Sequence, residues 1–462
     1  MRVMTTLLSP VEVGAVSIAL SISVMLNLTL INPIWMYILR NLHEWQRLNL
    51  LPKKILIGFA WYLLCVSLLS PLIVSGISWL GWGVPGGGGW VIIAIALHFA
   101  IFSAVSTLPL LINNLGQITK AAALNGGIAL ASLGGCVLTV KFVGSNVTGW
   151  MIGLSAGYAV MFLVGIPGFL KSIQGPKSVQ PGYRSDWDLG SVARFAFPLS
   201  ISVFFAWGQL YGYRFIFANE LGANRLGLFF SGYALGAAVV NTVENVLIQY
   251  FQPSFYKRVS QNEPVEAAAA WEEYSSRVIP SLLLCIGFVA GAAPFLAKLL
   301  LGSAFQSAAR FAVWGAAVES LRASLAVFSL SAHAQTKTRP LILANIIAAV
   351  AALGLATVLI RPFGEIGVGS ALVISYLLGI VMVYSYLGRG AHMPIRSRVL
   401  GDILLGTSFV LLFSIMVRFF LPSNLSIYSA VNGVGLLSVV FFLVLIRVVR
   451  IQPFKDWKIA WP

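Results

Sequence analysis

Residues 12–39 read EVGAVSIALSISVMLNLTLINPIWMYIL, and no charged side chain lies between Glu12 and Arg40. A helix rises by roughly 1.5 Å per residue, so this stretch is long enough to cross the roughly 30 Å of hydrocarbon in a bilayer. It lacks the alternation with a period of two residues that is typical of a membrane strand. The stretch therefore predicts a membrane-spanning helix.

The composition of the 462-residue chain agrees with this prediction. Hydrophobic residues make up 58% of the chain and charged residues 10%, against roughly 25% charged residues in a typical soluble domain. This composition excludes a soluble globule, a disordered chain, a coiled coil and a disulfide scaffold. Cys65, Cys136 and Cys285 lie inside apolar runs, and no Cys/His spacing resembles a metal site. We expect neither a metal ion nor a cofactor.

The hydropathy pattern predicts an all-α, polytopic membrane protein with about 13 transmembrane helices. The predicted spans are 13–38, 54–80, 89–114, 121–144, 148–170, 193–218, 226–251, 276–301, 308–333, 338–361, 367–389, 399–421 and 427–449. We interpret them as two pseudo-symmetric lobes, 1–175 and 190–390, followed by two additional C-terminal helices in 399–449. A Gly-, Pro- and Ser-containing linker, 171–192, separates the lobes.

The basic residues predict the orientation of the chain. Lys plus Arg number 30 against 14 Asp plus Glu, a net charge of +16, and in membrane proteins cytoplasmic loops carry most Lys and Arg. About 21 of the basic residues fall on one set of alternate loops and about 6 on the other. The C-terminus is therefore expected in the cytoplasm. The surplus of positive charge indicates contact with membrane lipids rather than with nucleic acid.

The second half of the chain contains a weak repeat of the opening stretch. Residues 225–252, RLGLFFSGYALGAAVVNTVENVLIQYFQ, align with residues from Glu12 onward, so that Gly14 corresponds to Gly227 and Tyr37 to Tyr250. Two repeated halves in one membrane chain are a common plan among transporters, in which the substrate lies between the halves.

Three segments carry a resemblance to a known family. They are LLSPVEVGAVSIAL at 7–20, RFAFPLSISVFFAWGQLYGYRFIFANELGANRLGLFFSGYALG at 194–236 and AQTKTRPLILANIIAAV at 334–350. They resemble the second helix, the seventh and eighth helices, and the turn between the tenth and eleventh helices of polysaccharide flippases. These flippases belong to the multidrug/oligosaccharidyl-lipid/polysaccharide (MOP) superfamily. The first helix of that family has no counterpart in this chain, and Tyr213-Arg214 stands where many relatives have Asp-Arg.

The resemblance implies a non-enzymatic transporter of the bacterial cytoplasmic membrane. Such a protein flips a polyprenyl-diphosphate-linked oligosaccharide for surface polysaccharide export, by alternating access. Its partners would be the lipid-linked oligosaccharide, membrane lipids, and a polysaccharide polymerase with its glycosyltransferases.

Ionisable residues inside the spans are the candidate site residues, because charge in a bilayer is costly and usually faces a partner or a cavity. Arg214 and Arg322 are candidate substrate-binding residues, since a guanidinium pairs bidentately with phosphate oxygens. Glu244 and Glu319 are candidate coupling or charge-pair residues. Glu319 and Arg322 are three residues apart on one helix, so they either form a self-neutralised pair or take part in transport.

Two further candidates have a simpler alternative explanation. Arg40 is a third candidate for substrate binding, although the positive-inside bias alone accounts for a basic residue at this end of a span. His98 is a candidate proton relay or a buried structural histidine.

Glu244 is the acidic residue that we pair with Arg214, because the two lie on consecutive predicted spans.

Two other functions remain open at this stage. A multidrug or cation antiporter of the same superfamily would need membrane-embedded acids in the N-terminal half, and none lies within the five predicted spans before residue 171. A membrane polysaccharide polymerase or glycosyltransferase would need a sizeable extracytoplasmic loop, whereas the predicted outer loops have about 5–15 residues.

Overall fold

The computed structural model describes residues 1–47, 56–172, 189–259, 264–334, 339–388, 397–420 and 426–449. Within these ranges the chain is helical and has no strand, which confirms the predicted all-α class. Ten continuous helical segments of the described residues are long and apolar enough to cross a membrane. The chain is a multi-pass membrane protein.

The helices are, in chain order, α1 (Arg2–Leu7), α2 (Pro10–Leu26), α3 (Asn32–Arg47), α4 (Leu56–Ile77), α5 (Gly89–Asn114), α6 (Ile118–Phe142), α7 (Val147–Ser172), α8 (Leu189–Trp207), α9 (Tyr213–Val259), α10 (Pro264–Leu300), α11 (Ala312–Ala334), α12 (Arg339–Gly388), α13 (Ser397–Phe420) and α14 (Ile427–Val449). Three π-helical turns continue α2, α4 and α8, namely Asn27–Ile31, Ser78–Trp82 and Gly208–Gly212, and the 3₁₀-helix Ser303–Phe311 precedes α11. A π-helical turn often marks a functional site, because it interrupts the regular ladder of backbone hydrogen bonds.

Two of the ten apolar segments each contain two predicted spans. The segment Gly190–Tyr256 includes Gly222, and the segment Leu341–Tyr386 includes Gly364. These glycines have φ angles of +84° and +57° and break the helical path of α9 and α12. Positive φ is readily adopted by glycine, which has no Cβ. Each kink falls between two predicted spans, and the total of about 13 spans stays a prediction.

The chain forms two compact units. The N-terminal unit is Leu7–Gly227, and the C-terminal unit comprises Met1–Thr6 together with Leu228–Pro462. Helix α9 therefore contributes its first part to one unit and its remainder to the other. The lobe limits expected from the sequence, near 175, 190 and 390, lie in or beside residues outside the described ranges and stay a prediction.

The two aligned glycines of the sequence repeat meet within the N-terminal unit. A Cβ atom added to Gly14 would overlap the Ala223 carbonyl oxygen, and one added to Gly227 would overlap the Pro10 carbonyl oxygen. Pro10 and Ala223 are themselves separated by the same interval as the two glycines. The contact is thus reciprocal between the positions that the sequence repeat aligns.

Helix α10 is central to the C-terminal unit, where it packs against α11, α13 and α14. Phe288 of α10 and Phe441 of α14 have ring centroids 4.9 Å apart, and Gly291 of α10 lies directly against Ser414 of α13. The two C-terminal helices thus complete this unit. Short helix α1 is held at the end of α10 by Arg2, whose Nη1 donates to the Lys298 carbonyl oxygen at 2.8 Å.

Candidate functional site

The C-terminal unit buries a cluster of three charged side chains between α9 and α11. Nη2 of Arg322 lies 2.5 Å from Oε2 of Glu244, and its Nε lies 2.5 Å from Oε2 of Glu319. Two neutral groups complete the cluster. Nη2 of Arg322 donates to Oδ1 of Asn241 at 3.1 Å, and the Tyr233 hydroxyl donates to Oε1 of Glu319 at 3.0 Å.

Helical spacing and small residues explain why this cluster forms. Asn241 and Glu244 are three residues apart on α9, and Glu319 and Arg322 are three residues apart on α11, so each pair shares one helix face. The two helices approach closely at glycines. A Cβ on Gly236 would overlap the Ala312 carbonyl oxygen. Close approach lets short side chains bridge the two helices.

The cluster has one more carboxylate than it has guanidinium groups. Glu244 is 8% exposed and Glu319 is 6% exposed, while the side chain of Arg322 is 29% exposed. With both carboxylates ionised, the formal charge of the three residues is −1. A buried charge is costly unless it is paired and hydrogen-bonded. The guanidinium of Arg322 and the hydrogen bonds from Asn241 and Tyr233 therefore surround a pair of buried carboxylates.

The N-terminal unit holds Arg214 just after the π-helical turn Gly208–Gly212. Its side chain is buried, at 7% exposure. Nη1 donates to the Ser17 carbonyl oxygen at 3.2 Å and to the Ser21 hydroxyl at 3.0 Å, both on α2. The guanidinium carbon lies 4.8 Å from the centroid of the Tyr211 ring. Arg214 thus places a fixed positive charge against a serine-rich face of α2.

His98 extends the polar face of α2 onto α5. Its Nδ1 lies 2.7 Å from the Ser23 hydroxyl, and its ring stacks on Phe102 with centroids 5.6 Å apart. One helical turn further along, Nδ2 of Asn27 donates to the Ser103 hydroxyl at 2.8 Å. The imidazole is 2% exposed, and its Nε2 has no hydrogen-bond partner among the described residues. This nitrogen is a hydrogen-bond donor in one tautomer and an acceptor in the other.

Arg40 differs from the other candidates because it is exposed, near the end of the apolar segment Pro10–Leu42. Its guanidinium carbon lies 5.9 Å from the centroid of the Phe195 ring. The structure thus brings Glu244, Glu319 and Arg322 together but places Arg40 on the surface. Its role in substrate binding stays a prediction.

The structure changes one pairing that the sequence suggested. The partner of Glu244 is Arg322 on α11, rather than Arg214 on the preceding predicted span. Consecutive spans are neighbours along the chain, but the glycine contacts bring α11, not the start of α9, against Glu244.

Sequence reasoning also missed Tyr233 and Asn241 as members of the cluster, and Ser17 and Ser21 as ligands of Arg214. Asn241 carried a usable signal, because it lies three residues before Glu244 in the repeated span. The serines did not, since Ser and Thr inside membrane helices commonly bond to their own backbone. The described residues contain no group of three or more His, Cys, Asp and Glu side chains able to hold a metal ion.

Comparison with known proteins identifies the fold. No protein-family profile matches the chain, and no curated protein matches it in sequence. Among solved structures, it is similar to the lipid II flippase MurJ in an inward closed conformation. The TM-score is 0.61 and the identity 13%, over 95% of this chain and 93% of that chain. It is also similar to an inward-facing multidrug resistance MATE family transporter of the MOP superfamily, with a TM-score of 0.57 and 12% identity, over 82% and 89% of the respective chains.

The chain shares the fold of these two solved structures. This confirms the fold that the three resembling segments implied. The match extends over nearly the whole of MurJ, although the sequences differ at most positions.

Proposed function

We propose that this chain is a non-enzymatic transporter that flips a polyprenyl-diphosphate-linked oligosaccharide across the cytoplasmic membrane. The MOP fold supports a transporter, and the solved structure with a TM-score of 0.61 is itself a flippase for lipid II. In this mechanism a polar interior opens alternately to the two sides of the membrane. The diphosphate and sugars pass through that interior, while the polyprenyl chain stays in the lipid.

The observation that carries the proposal is the charge of the N-terminal unit. Arg214 is fixed within it, and the residues of α4 to α7, from 56 to 172, contain no Asp or Glu. An arginine fork matches two phosphate oxygens in geometry and charge. The serine hydroxyls of α2 supply neutral hydrogen-bonding groups beside it. Such a unit suits a diphosphate head group and disfavours an organic cation.

The Glu244–Arg322–Glu319 cluster is the proposed coupling site. Its additional carboxylate takes up a proton or a monovalent cation, and release of that ion changes the charge buried between α9 and α11. His98 is the second candidate for proton transfer, through its Nε2 atom. Arg40 is proposed to meet the anionic head group at the cytoplasmic end of its span.

A multidrug or cation antiporter is the second candidate, and two observations favour it. The chain shares its fold with a MATE family transporter, and the Arg322 cluster offers two buried carboxylates to a cation. The two functions make opposite demands on Arg214, because a fixed positive charge repels a cationic substrate. A polymerase or glycosyltransferase is less well supported, since both solved structures compared above are transporters.

The test uses the full chain in proteoliposomes with two substrates. One is a fluorescent polyprenyl-diphosphate oligosaccharide, and the other is a fluorescent organic cation. We expect the wild-type chain to move the diphosphate lipid, and Arg214→Gln to slow it by at least about tenfold, since hydrogen bonds to a charged group contribute roughly 1.5–3 kcal/mol. Arg214→Lys keeps the charge without the fork and should be intermediate.

Arg310→Gln is the matched control, because the Arg310 side chain is 65% exposed and lies in the C-terminal unit. It should flip the lipid at the wild-type rate. If the chain transported the organic cation and did not move the diphosphate lipid, the flippase proposal would be wrong and the antiporter would be the better explanation.

A further inference from the structure

A pocket lies where α9 ends and α10 begins, in the C-terminal unit. It is an open cleft with a cavity volume of about 20 Å³. Phe251, Phe255 and Tyr274 provide aromatic walls, and Arg258 and Glu273 provide charged groups. The pocket adjoins the Arg322 cluster described above, because Tyr274 lies within electrostatic range of Glu244, but the proposed flipping mechanism does not use it.

Arg258 and Glu273 line this pocket, and Arg277, which lies outside the lining, pairs with the same carboxylate. Nη1 of Arg258 lies 2.5 Å from Oε2 of Glu273, and Nη1 of Arg277 lies 2.9 Å from Oε1 of the same carboxylate. Two guanidinium groups and one carboxylate give these three residues a formal charge of +1. The guanidinium of Arg277 also lies over the Phe251 ring, 5.5 Å from its centroid. The arginines are thus held in place while about 30% of each side chain stays exposed.

A buried hydroxyl at this pocket lacks a partner. Tyr274 is 2% exposed, and its hydroxyl has no hydrogen-bond partner among the described residues, although the residue lines the pocket. Leaving such a group unsatisfied is costly, so a buried hydroxyl is normally paired. A ligand that accepts a hydrogen bond inside the pocket would satisfy it. Trp271 lies on the same turn of α10, and its buried Nε1 also has no hydrogen-bond partner among the described residues.

The position of the pocket indicates which ligand supplies that acceptor. The apolar segment containing α9 ends at Tyr256, and the one containing α10 begins at Ala269. The pocket therefore lies at the level where lipid head groups meet the hydrocarbon. Tyr and Trp side chains are typical of that level, and basic pockets between membrane helices bind anionic lipid head groups. The positive-inside rule predicts that this is the cytoplasmic leaflet.

We propose that this pocket binds the phosphate group of an anionic phospholipid from the adjoining leaflet. Arg258 and Arg277 pair with the phosphate oxygens, the Tyr274 hydroxyl donates a hydrogen bond to one of them, and Phe251 and Phe255 contact the glycerol and the upper acyl chain. The site is separate from the transport function, because it needs no substrate and no conformational cycle. It makes the C-terminal unit sensitive to the lipid composition of the membrane.

The experiment measures lipids bound to the purified full chain by native mass spectrometry. Phosphatidylglycerol and phosphatidylcholine with identical acyl chains are offered together. We expect the wild-type chain to retain phosphatidylglycerol preferentially and Arg258→Gln/Arg277→Gln to lose the preference. Tyr274→Phe, which removes a single oxygen atom, should weaken phosphatidylglycerol binding by about fivefold, on the order of one net hydrogen bond.

Arg310→Gln is again the matched control, because Arg310 also lies over a phenylalanine, Phe311, and near a carboxylate, Glu365, but does not line this pocket. Its lipid preference should equal that of the wild type. An unchanged preference in both the double variant and Tyr274→Phe would overturn the proposal. Displacement of phosphatidylglycerol by equimolar inorganic phosphate would also overturn it, because the site would then recognise free phosphate.

The test is independent of transport. Arg214→Gln, which should impair flipping, is expected to bind phosphatidylglycerol as the wild type does. A negative result in the lipid-binding experiment would therefore not contradict the flippase proposal. A negative result in the flipping experiment would not contradict the lipid site.

Discussion

Helix pairs in the two units hold different chemistry. In the C-terminal unit, α9 and α11 enclose Glu244, Glu319 and Arg322. In the N-terminal unit, α2 and α5 enclose neutral pairs, such as Ser23 with His98 and Asn27 with Ser103. The sequence repeat aligns α2 with the second part of α9, and the aligned copies carry different side chains. The proposed function assigns substrate contact to the N-terminal unit and ion coupling to the C-terminal unit.

Among the variants that test the difference between the two units, Arg322→Ala should have the largest effect on stability. The substitution leaves two buried carboxylates without their cation, which should lower the free energy of unfolding by about 3–5 kcal/mol. His98→Ala in the N-terminal unit removes the bond to Ser23 and the stacking on Phe102 but leaves no unpaired charge, so it should cost less. Thermal unfolding in detergent measures both.

The matched control for Arg322→Ala is the triple variant Arg322→Met with Glu244→Gln and Glu319→Gln. It removes all three charges, and most of the lost stability should return. If Arg322→Ala unfolded at the wild-type temperature, the cluster would contribute nothing to the fold.

Substitution of the two glycines in the reciprocal contact tests whether the aligned positions of the sequence repeat are equivalent. Gly14→Ala and Gly227→Ala each place a Cβ against a backbone carbonyl, and each should destabilise the chain by about 3 kcal/mol, the upper end for overpacking. Gly126 has no atom near its added Cβ, so Gly126→Ala should be stabilising or neutral. Chemical unfolding compares the three variants. A large difference between Gly14→Ala and Gly227→Ala would show that the two positions are not equivalent.

The smallest expected effects come from single hydrogen bonds in the two units. Tyr233→Phe removes a donor to the Glu319 carboxylate and should cost about 2 kcal/mol, while Ser23→Ala removes a neutral bond to His98 and should cost about 1 kcal/mol. The unfolding midpoints of the two variants in denaturant measure these two losses of stability. The reverse order would contradict the greater strength expected for a hydrogen bond to a charged group.

The spans were predictable from sequence because a bilayer demands long apolar helices, and Gly222 and Gly364 break α9 and α12 between predicted spans. The pair Glu319–Arg322 was predictable as well, since its spacing is local. The bridge from Arg322 to Glu244 was not, because it joins residues far apart in sequence and depends on how closely α9 and α11 pack. The π-helical turns beside Asn27 and Arg214 have no sequence signal that we recognise.

The most direct test of the division between the units measures flipping of the diphosphate lipid with and without an imposed pH gradient. Arg214→Gln should slow flipping under both conditions, because it weakens contact with the substrate. Glu319→Gln, which keeps the acceptor for Tyr233, should flip the lipid without a gradient at the wild-type rate and lose the acceleration by the gradient. Equal loss in both variants under both conditions would contradict the assignment of substrate contact to one unit and ion coupling to the other.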